Sequence, residues 1–219
     1  MKKLLFIFSA LIASQFANAQ ESFYKHALVF SVGVGGEGYA ITETYSVKGY
    51  PSLNYTTTGS AGSASYPFSL EYGLNKWIGI GLLAKPDKYF TSKDTNTGYT
   101  PSASGFEFGA IVNIHFLRTQ HIDFLAGLDL GGSHFTYTAD AYNDQVYGDG
   151  AWGDIHATLR FYFGRFGLYG SLSFPTMNYN LTSNNSNWNV GQDILATWKA
   201  RGAAFNVGIQ YRFLSAPTQ

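Results

Sequence analysis

The chain reads as an all-β protein, an eight-stranded antiparallel up-and-down transmembrane β-barrel. Three observations carry that reading. Eight short stretches alternate apolar and non-apolar residues one by one, the period of a β-strand with two unlike faces. The non-apolar positions hold mostly Gly, Ser and scattered acids and arginines, which suits the crowded lumen of a narrow closed sheet whose apolar face meets lipid. Composition agrees: 17% of residues are aromatic and 25 are Gly, yet only 13% are charged, where soluble domains carry about a quarter.

The first residues read as a secretory leader. Met1 to Lys3 form a basic n-region, Leu4 to Phe16 an apolar h-region, and Ala17-Asn18-Ala19 an A-x-A cleavage site. Residues 1–19 are therefore set apart, and residues 20–219 are expected to form one barrel domain. The chain contains no Cys, so neither disulfides nor an N-terminal lipidated cysteine enter. Without Lys2 and Lys3, 12 basic residues face 14 acids. No nucleic-acid footprint is visible. Beyond the leader no run of 18 apolar residues occurs, so the spans must be strands, which need only about ten residues each.

Taken in order, the first strand covers Ala27 to Tyr39, with Leu28, Phe30, Val32 and Val34 on one face and Ser31, Gly33, Gly35 and Glu37 on the other. A long polar segment from about Thr42 to Ser65 follows. The second strand sets Phe68, Leu70, Tyr72 and Leu74 against Ser69, Glu71 and Gly73, and Asn75-Lys76 turn tightly into the third, Ile78 to Lys85. Pro86 and Asp87 are expected to end it. After a second polar loop to about Ser104, the fourth strand places Phe106, Phe108, Ala110, Val112, Ile114 and Phe116 outward and Glu107, Gly109, Ile111, Asn113 and His115 inward.

The fifth strand runs from Ile122 to about Tyr137, with Asp123, Gly127 and Asp129 inward, and the sixth carries Asp154, His156, Thr158, Arg160 and Tyr162 inward. Gly164-Arg165 turn into the seventh, which is expected to stop at Pro175. The eighth sets Phe205, Val207, Ile209, Tyr211 and Phe213 opposite Asn206, Gly208, Gln210 and Arg212. Connections alternate long and short, as in barrels with tight periplasmic turns and extended outside loops. Both termini are then expected in the periplasm. Aromatics gather near the strand ends in two girdles, among them Trp77, Phe163, Phe166 and Phe213 at one level and Tyr89, Phe106, Trp152 and Phe174 at the other.

On this topology, the leader, and a final strand reading Phe205-Asn-Val-Gly-Ile-Gln-Tyr-Arg-Phe213, the chain resembles the small outer-membrane barrels of the OmpX and OmpA barrel-domain type. The resemblance implies a bacterial outer membrane location, lipid and lipopolysaccharide as surroundings, recognition of the aromatic-ended last strand by the barrel-assembly machinery, and a monomer. Leu214 to Gln219 extend past the final aromatic, a departure from members that stop there.

Depth along the strands puts Glu71, Asp123, Arg160 and Arg212 low in the lumen and Glu37, Lys85, Glu107 and Asp154 high. Such charges must pair or hydrogen-bond, since isolated ions away from water are costly, and a structural ion-pair network without an open pore is expected. Catalysis finds thin support. Ser133 and His134 are adjacent on a strand and so point to opposite faces, and His156 with Thr158 lacks a serine. No cofactor is implied. The five His lie on different strands without ligand spacing, so no metal site is expected, and Asp140, Asp144 and Asp149 lack the regular spacing of a calcium loop. The best candidate surface is aromatic: Tyr45, Tyr50 and Tyr55 in the first long loop, and Tyr179, Trp188 and Trp198 in the fourth, set among Ser, Thr and Asn. Rigid rings beside adaptable polar groups suit recognition of an extracellular ligand or host surface. A structural or surface-binding role follows, with a narrow solute channel, a lipid A-modifying enzyme and a soluble lipocalin-like barrel as the competing readings.

Overall fold

A computed structural model describes residues 22–92, 99–138, 145–183 and 194–213. The leader, Trp188, Asp140, Asp144 and the extension after Phe213 lie outside them. The strands are β1 (Leu28–Val47), β2 (Tyr55–Ser65), β3 (Phe68–Gly73), β4 (Ile78–Tyr89), β5 (Ser102–Arg118), β6 (Ile122–Thr138), β7 (Gln145–Phe163), β8 (Phe166–Ser183) and β9 (Ile194–Arg212). Each pairs antiparallel with its neighbours, and β1 pairs with β9 from Val29↔Arg212 to Val47↔Ile194, which closes the sheet.

Nine strands make eight staves. β2 and β3 both pair with β1 and both with β4 in one continuous register, Gly35↔Ser65 passing into Val32↔Phe68. Pro67 interrupts them because it brings no N–H to the ladder. Its carbonyl still accepts from Gly33 N at 2.9 Å.

Side chains obey the two-residue period. On β5 exposed Phe106, Phe108, Val112 and Ile114 alternate with buried Glu107, Ile111 and Asn113. A bulge after His115 lets both Phe116 and Leu117 face out before the turn. Large apolar residues are exposed all round the wall, Leu82, Leu130, Ile155, Phe174 and Ile209 among them. So wide an apolar surface is not compatible with water and forms a lipid-facing belt. It ends where polar residues take over the outer face, at Lys88, Ser104, His134, Asp149, Asn178 and Arg201.

The strands do not stop at that level. The sequence expectation of long loops at 42–65 and 175–199, and of breaks at Pro86 and Pro175, is corrected: β1 continues to Val47, β2 starts at Tyr55, β4 passes Pro86, and β8 passes Pro175. Only the belt-facing alternation ends at the membrane boundary; backbone pairing needs no apolar face, and Thr, Ser and Tyr pair well. Each proline costs a single ladder donor. At Pro175 the neighbouring Phe174 N–H donates to Asp154 Oδ1 at 2.8 Å. With 20 residues rising about 3.3 Å each, β1 is roughly twice as long as a lipid core is thick. The surplus stands beyond the belt at the rim opposite Ser22 and Phe213, the distal rim.

Short turns close the terminal rim. Gly164, with φ +70°, supplies the positive first position that a two-residue β7–β8 turn requires. Asn75 Oδ1 accepts from Trp77 N and Ile78 N at 2.6 and 2.9 Å, so its side chain templates the β3–β4 turn.

Candidate functional site

From terminal to distal rim the lumen is filled in layers. The lowest is the segment Ser22 to Ala27, which folds under the barrel. Ser22 N donates to Thr119 O at 2.7 Å, His26 N to Gly73 O at 2.8 Å, and Arg212 Nη1 to Ser22 O at 2.6 Å. Phe23, fully buried, stacks flat on the His115 ring at 3.5 Å. Nothing in the alternation pattern signals this plug, because the segment precedes the first strand.

Above it sits a compact ion network. Glu71 accepts from Arg160 Nη2 at 2.6 Å, from Asn113 Nδ2 at 2.7 Å and from His115 Nε2 at 3.0 Å, while Asp123 faces His115 Nδ1 at 2.8 Å and Arg160 Nη1 at 3.5 Å. Asn113 and His115 join Glu71, Asp123 and Arg160, and were not singled out from sequence although the period puts them inward. The expected fourth member departs. Arg212 makes no ion pair among the described residues: it donates to the carbonyls of Ser22 and Gly164 and lies 5.3 and 5.1 Å from the Tyr24 and Tyr162 ring centres. Its position as the last residue of β9 aims it at the plug.

A cavity of about 80 Å³ follows, lined in part by Ser31, Asp129, Asp154, His156 and Asn206, room for a few waters. Asp154 belongs here: it caps Phe174 N–H and lies near Asp129, which faces His156 Nε2 at 3.5 Å. Lys85 lines the same cavity, so Asp154 stands between the upper charges and the Asp129–His156 pair. That upper group is Lys85, 2.7 Å from Glu37 and 3.9 Å from Glu107, with Asp87 as a third buried acid beside it. Three carboxyl groups thus share one ammonium.

An aromatic layer seals the lumen above. Tyr39, Tyr89, Phe135, Trp152, Met177, Tyr179 and Trp198 are all buried and pack as one cluster; Trp198 lies 4.6 Å from Phe135 and 5.4 Å from Tyr179, ring centre to ring centre. Tyr179 and Trp198 were expected in a loop. Both instead sit on strands, facing inward, because β8 and β9 run on past the membrane. The other loop aromatics do stand at the distal rim: Tyr45 and Tyr55 stack at 4.6 Å across the β1–β2 hairpin, and Tyr50 is exposed at its tip beside the short helical turn Pro51–Leu53.

Over that layer the distal mouth opens into a cup of about 480 Å³. Its wall includes Glu43, Tyr45, Tyr89, Phe135, Tyr137 and Trp198. Glu43 and Trp198 are direct cross-strand partners on the same face, as are Tyr45 and Tyr55. Tyr45 Oη donates to Glu43 Oε2 at 3.3 Å. Burial and then the Glu43 carboxylate push the Tyr45 phenol up to about 12, so it stays a neutral donor in the physiological range.

The catalytic alternative meets a wall. Ser133 Oγ lies in the lumen, 2.6 Å from Tyr179 Oη and 3.2 Å from Glu107 Oε1. The His134 ring is outside, 2.7 Å from Asp149. Serine and imidazole on opposite sides of a sheet cannot exchange a proton.

No family model matches the chain. No curated protein matches it either. Among solved structures the fold is similar to the outer membrane protein OprG from Pseudomonas aeruginosa, at 9% identity and a TM-score of 0.55, covering 88% of this chain and 98% of that one. It is similar also to the outer membrane protein AlkL, at 13% identity and TM-score 0.55 over 93% of this chain and 98% of that one. For Neisserial surface protein A the values are 14%, 0.52, 82% and 97%. With closed antiparallel topology, an apolar outer belt and these neighbours, the chain has the fold of a small outer-membrane β-barrel.

Proposed function

We propose that this protein resides in a bacterial outer membrane with its distal rim outside, and that it works as a surface-binding barrel rather than as a pore or an enzyme. One observation carries the reading. The distal mouth holds a cup of about 480 Å³, and it is closed beneath by the aromatic layer, the Lys85 group, the ion network and the plug. A recess that opens on one side only suits capture. Its size and its rings, with a few placed polar groups, match a site for a small, largely apolar molecule. The short turns at the other rim support the orientation.

The test uses protein labelled with fluorotryptophan in lipid nanodiscs, titrated with 2-naphthol as a neutral aromatic probe. Trp198 lines the cup, whereas Trp77 is exposed on the belt at the terminal rim, so Trp77 reports mere partitioning into lipid. A saturable shift confined to the Trp198 resonance is expected. Proportional, unsaturated shifts of both would overturn the reading.

A further inference from the structure

Among the described residues the cup carries charge of one sign. Among the described residues that line it, Glu43 is the only ionisable residue other than tyrosine, and no Lys, Arg or His lines it. Lys88, Lys199 and Arg201 are instead exposed on the outer face of the wall, two of them on the strand that carries Trp198. The Glu43 carboxylate stands opposite the Trp198 indole across one strand spacing, about 5 Å between Cβ atoms for such a pair. Tyr45 holds that carboxylate, and Tyr89 lies 6.2 Å from the Trp198 ring. A second observation is independent of the first. Directly under the aromatic layer Glu37, Asp87 and Glu107, all more than nine-tenths buried, have Lys85 as the one cation beside them among the described residues, and Glu107 also accepts from Ser133 Oγ at 3.2 Å. The floor of the cup is therefore backed by three carboxyl groups around a single ammonium, so among the described residues no unpaired cation lies directly beneath it.

We propose that the cup selects organic cations: a quaternary or primary ammonium carried on an apolar body, its charge lodged between the Glu43 carboxylate and the Trp198 and Tyr89 faces. Ring faces present negative potential, so they attract a cation that still prefers an apolar surface, and a carboxylate alongside supplies the counter-charge. An anion of the same shape meets Glu43 without a compensating donor other than the Tyr45 hydroxyl, which Glu43 already occupies. A neutral molecule gains the rings alone. This selectivity rests on the surface-binding reading, and the experiment separates the two.

Nanodisc-embedded protein with fluorotryptophan is titrated at low salt with three probes of one size: (naphthylmethyl)trimethylammonium, the neutral 2-ethylnaphthalene and naphthalenesulfonate, all read at Trp198. The cation is expected to bind about tenfold more tightly than the neutral probe, and the sulfonate more weakly than either. Glu43→Gln should bring the cation-to-neutral ratio close to one, whereas Asp149→Asn, which removes an exposed acid from the outer wall, should keep it near tenfold. Saturable binding of the neutral probe with no preference for the cation overturns the selectivity and leaves the cup standing. A ratio unchanged in Glu43→Gln also overturns it. Failure of all three probes to saturate at Trp198 overturns both readings.

Discussion

At the residue scale the lumen is governed by how charges are satisfied away from water. Parity along each strand made it legible that Glu71, Asp123, Arg160 and Glu107 point inward, since neighbours in a β-strand face opposite ways. Partner choice was not legible. Arg160 rather than Arg212 reaches Glu71 because β6 and β7 set Asp123 opposite Arg160, and stagger between strands cannot be counted from hydropathy. The crowding also explains the small residues: a Cβ at Gly79 would overlap the Glu71 carboxylate, which Asn113, His115 and Arg160 already hold. Arg160→Ala would leave Glu71 and Asp123 buried with His115 as the one remaining ring to face both. Breaking such a group by removing one partner costs about 3–5 kcal/mol. Urea unfolding from lipid vesicles should show that loss, and Arg160→Lys, which keeps the charge without the fork, should fall between. An Arg160→Ala protein as stable as the parent would mean the network is not holding the fold.

At the element scale two features escaped the sequence for different physical reasons. The protruding ladders were hidden because hydropathy reports the solvent a strand faces, and above the belt both faces of β1, β2 and β8 are rich in Thr, Ser, Tyr and Asn, while β9 carries Thr197, Lys199 and Arg201 there. Their strand character comes from pairing alone, and it turns loop aromatics such as Trp198 into a floor. The plug was hidden because six residues without a period look like any linker. It is nonetheless tied at three points, by Ser22, His26 and the Arg212 guanidinium. Phe23→Ala removes the ring stacked on His115, and large-to-small changes of a buried Phe cost about 3–5 kcal/mol. The direct readout is reactivity of histidine toward diethylpyrocarbonate, mapped by peptide mass spectrometry. His115 is fully buried and His121 exposed, so His121 should react in both proteins and His115 only in the variant. Protection of His115 in both would show that something other than Phe23 keeps water from the ring.

At the scale of the whole molecule, closure and conduction are separate questions. The closed ring of eight staves was legible in the sequence, because eight alternating stretches with long and short connections leave few other topologies. Whether a closed ring conducts depends on what fills it. An eight-stranded barrel has an interior about as wide as its own side chains, and here every level is occupied by groups that hold one another: the plug by backbone hydrogen bonds, Glu71 by three donors, Lys85 by carboxylates, and the distal layer by stacked rings. The cavity between them, about 80 Å³, ends against the Lys85 group above and Arg160 below. An ion crossing the lumen would have to displace a buried salt bridge and part the aromatic layer within one passage. Planar-bilayer recordings of the refolded protein should therefore stay at baseline, and so should those of Phe23→Ala, because removing the plug leaves the two upper seals in place. Steady current through the parent protein would refute the sealed lumen. Current through Phe23→Ala alone would instead make the N-terminal segment the sole barrier and reduce the layers above it to a permeable filling.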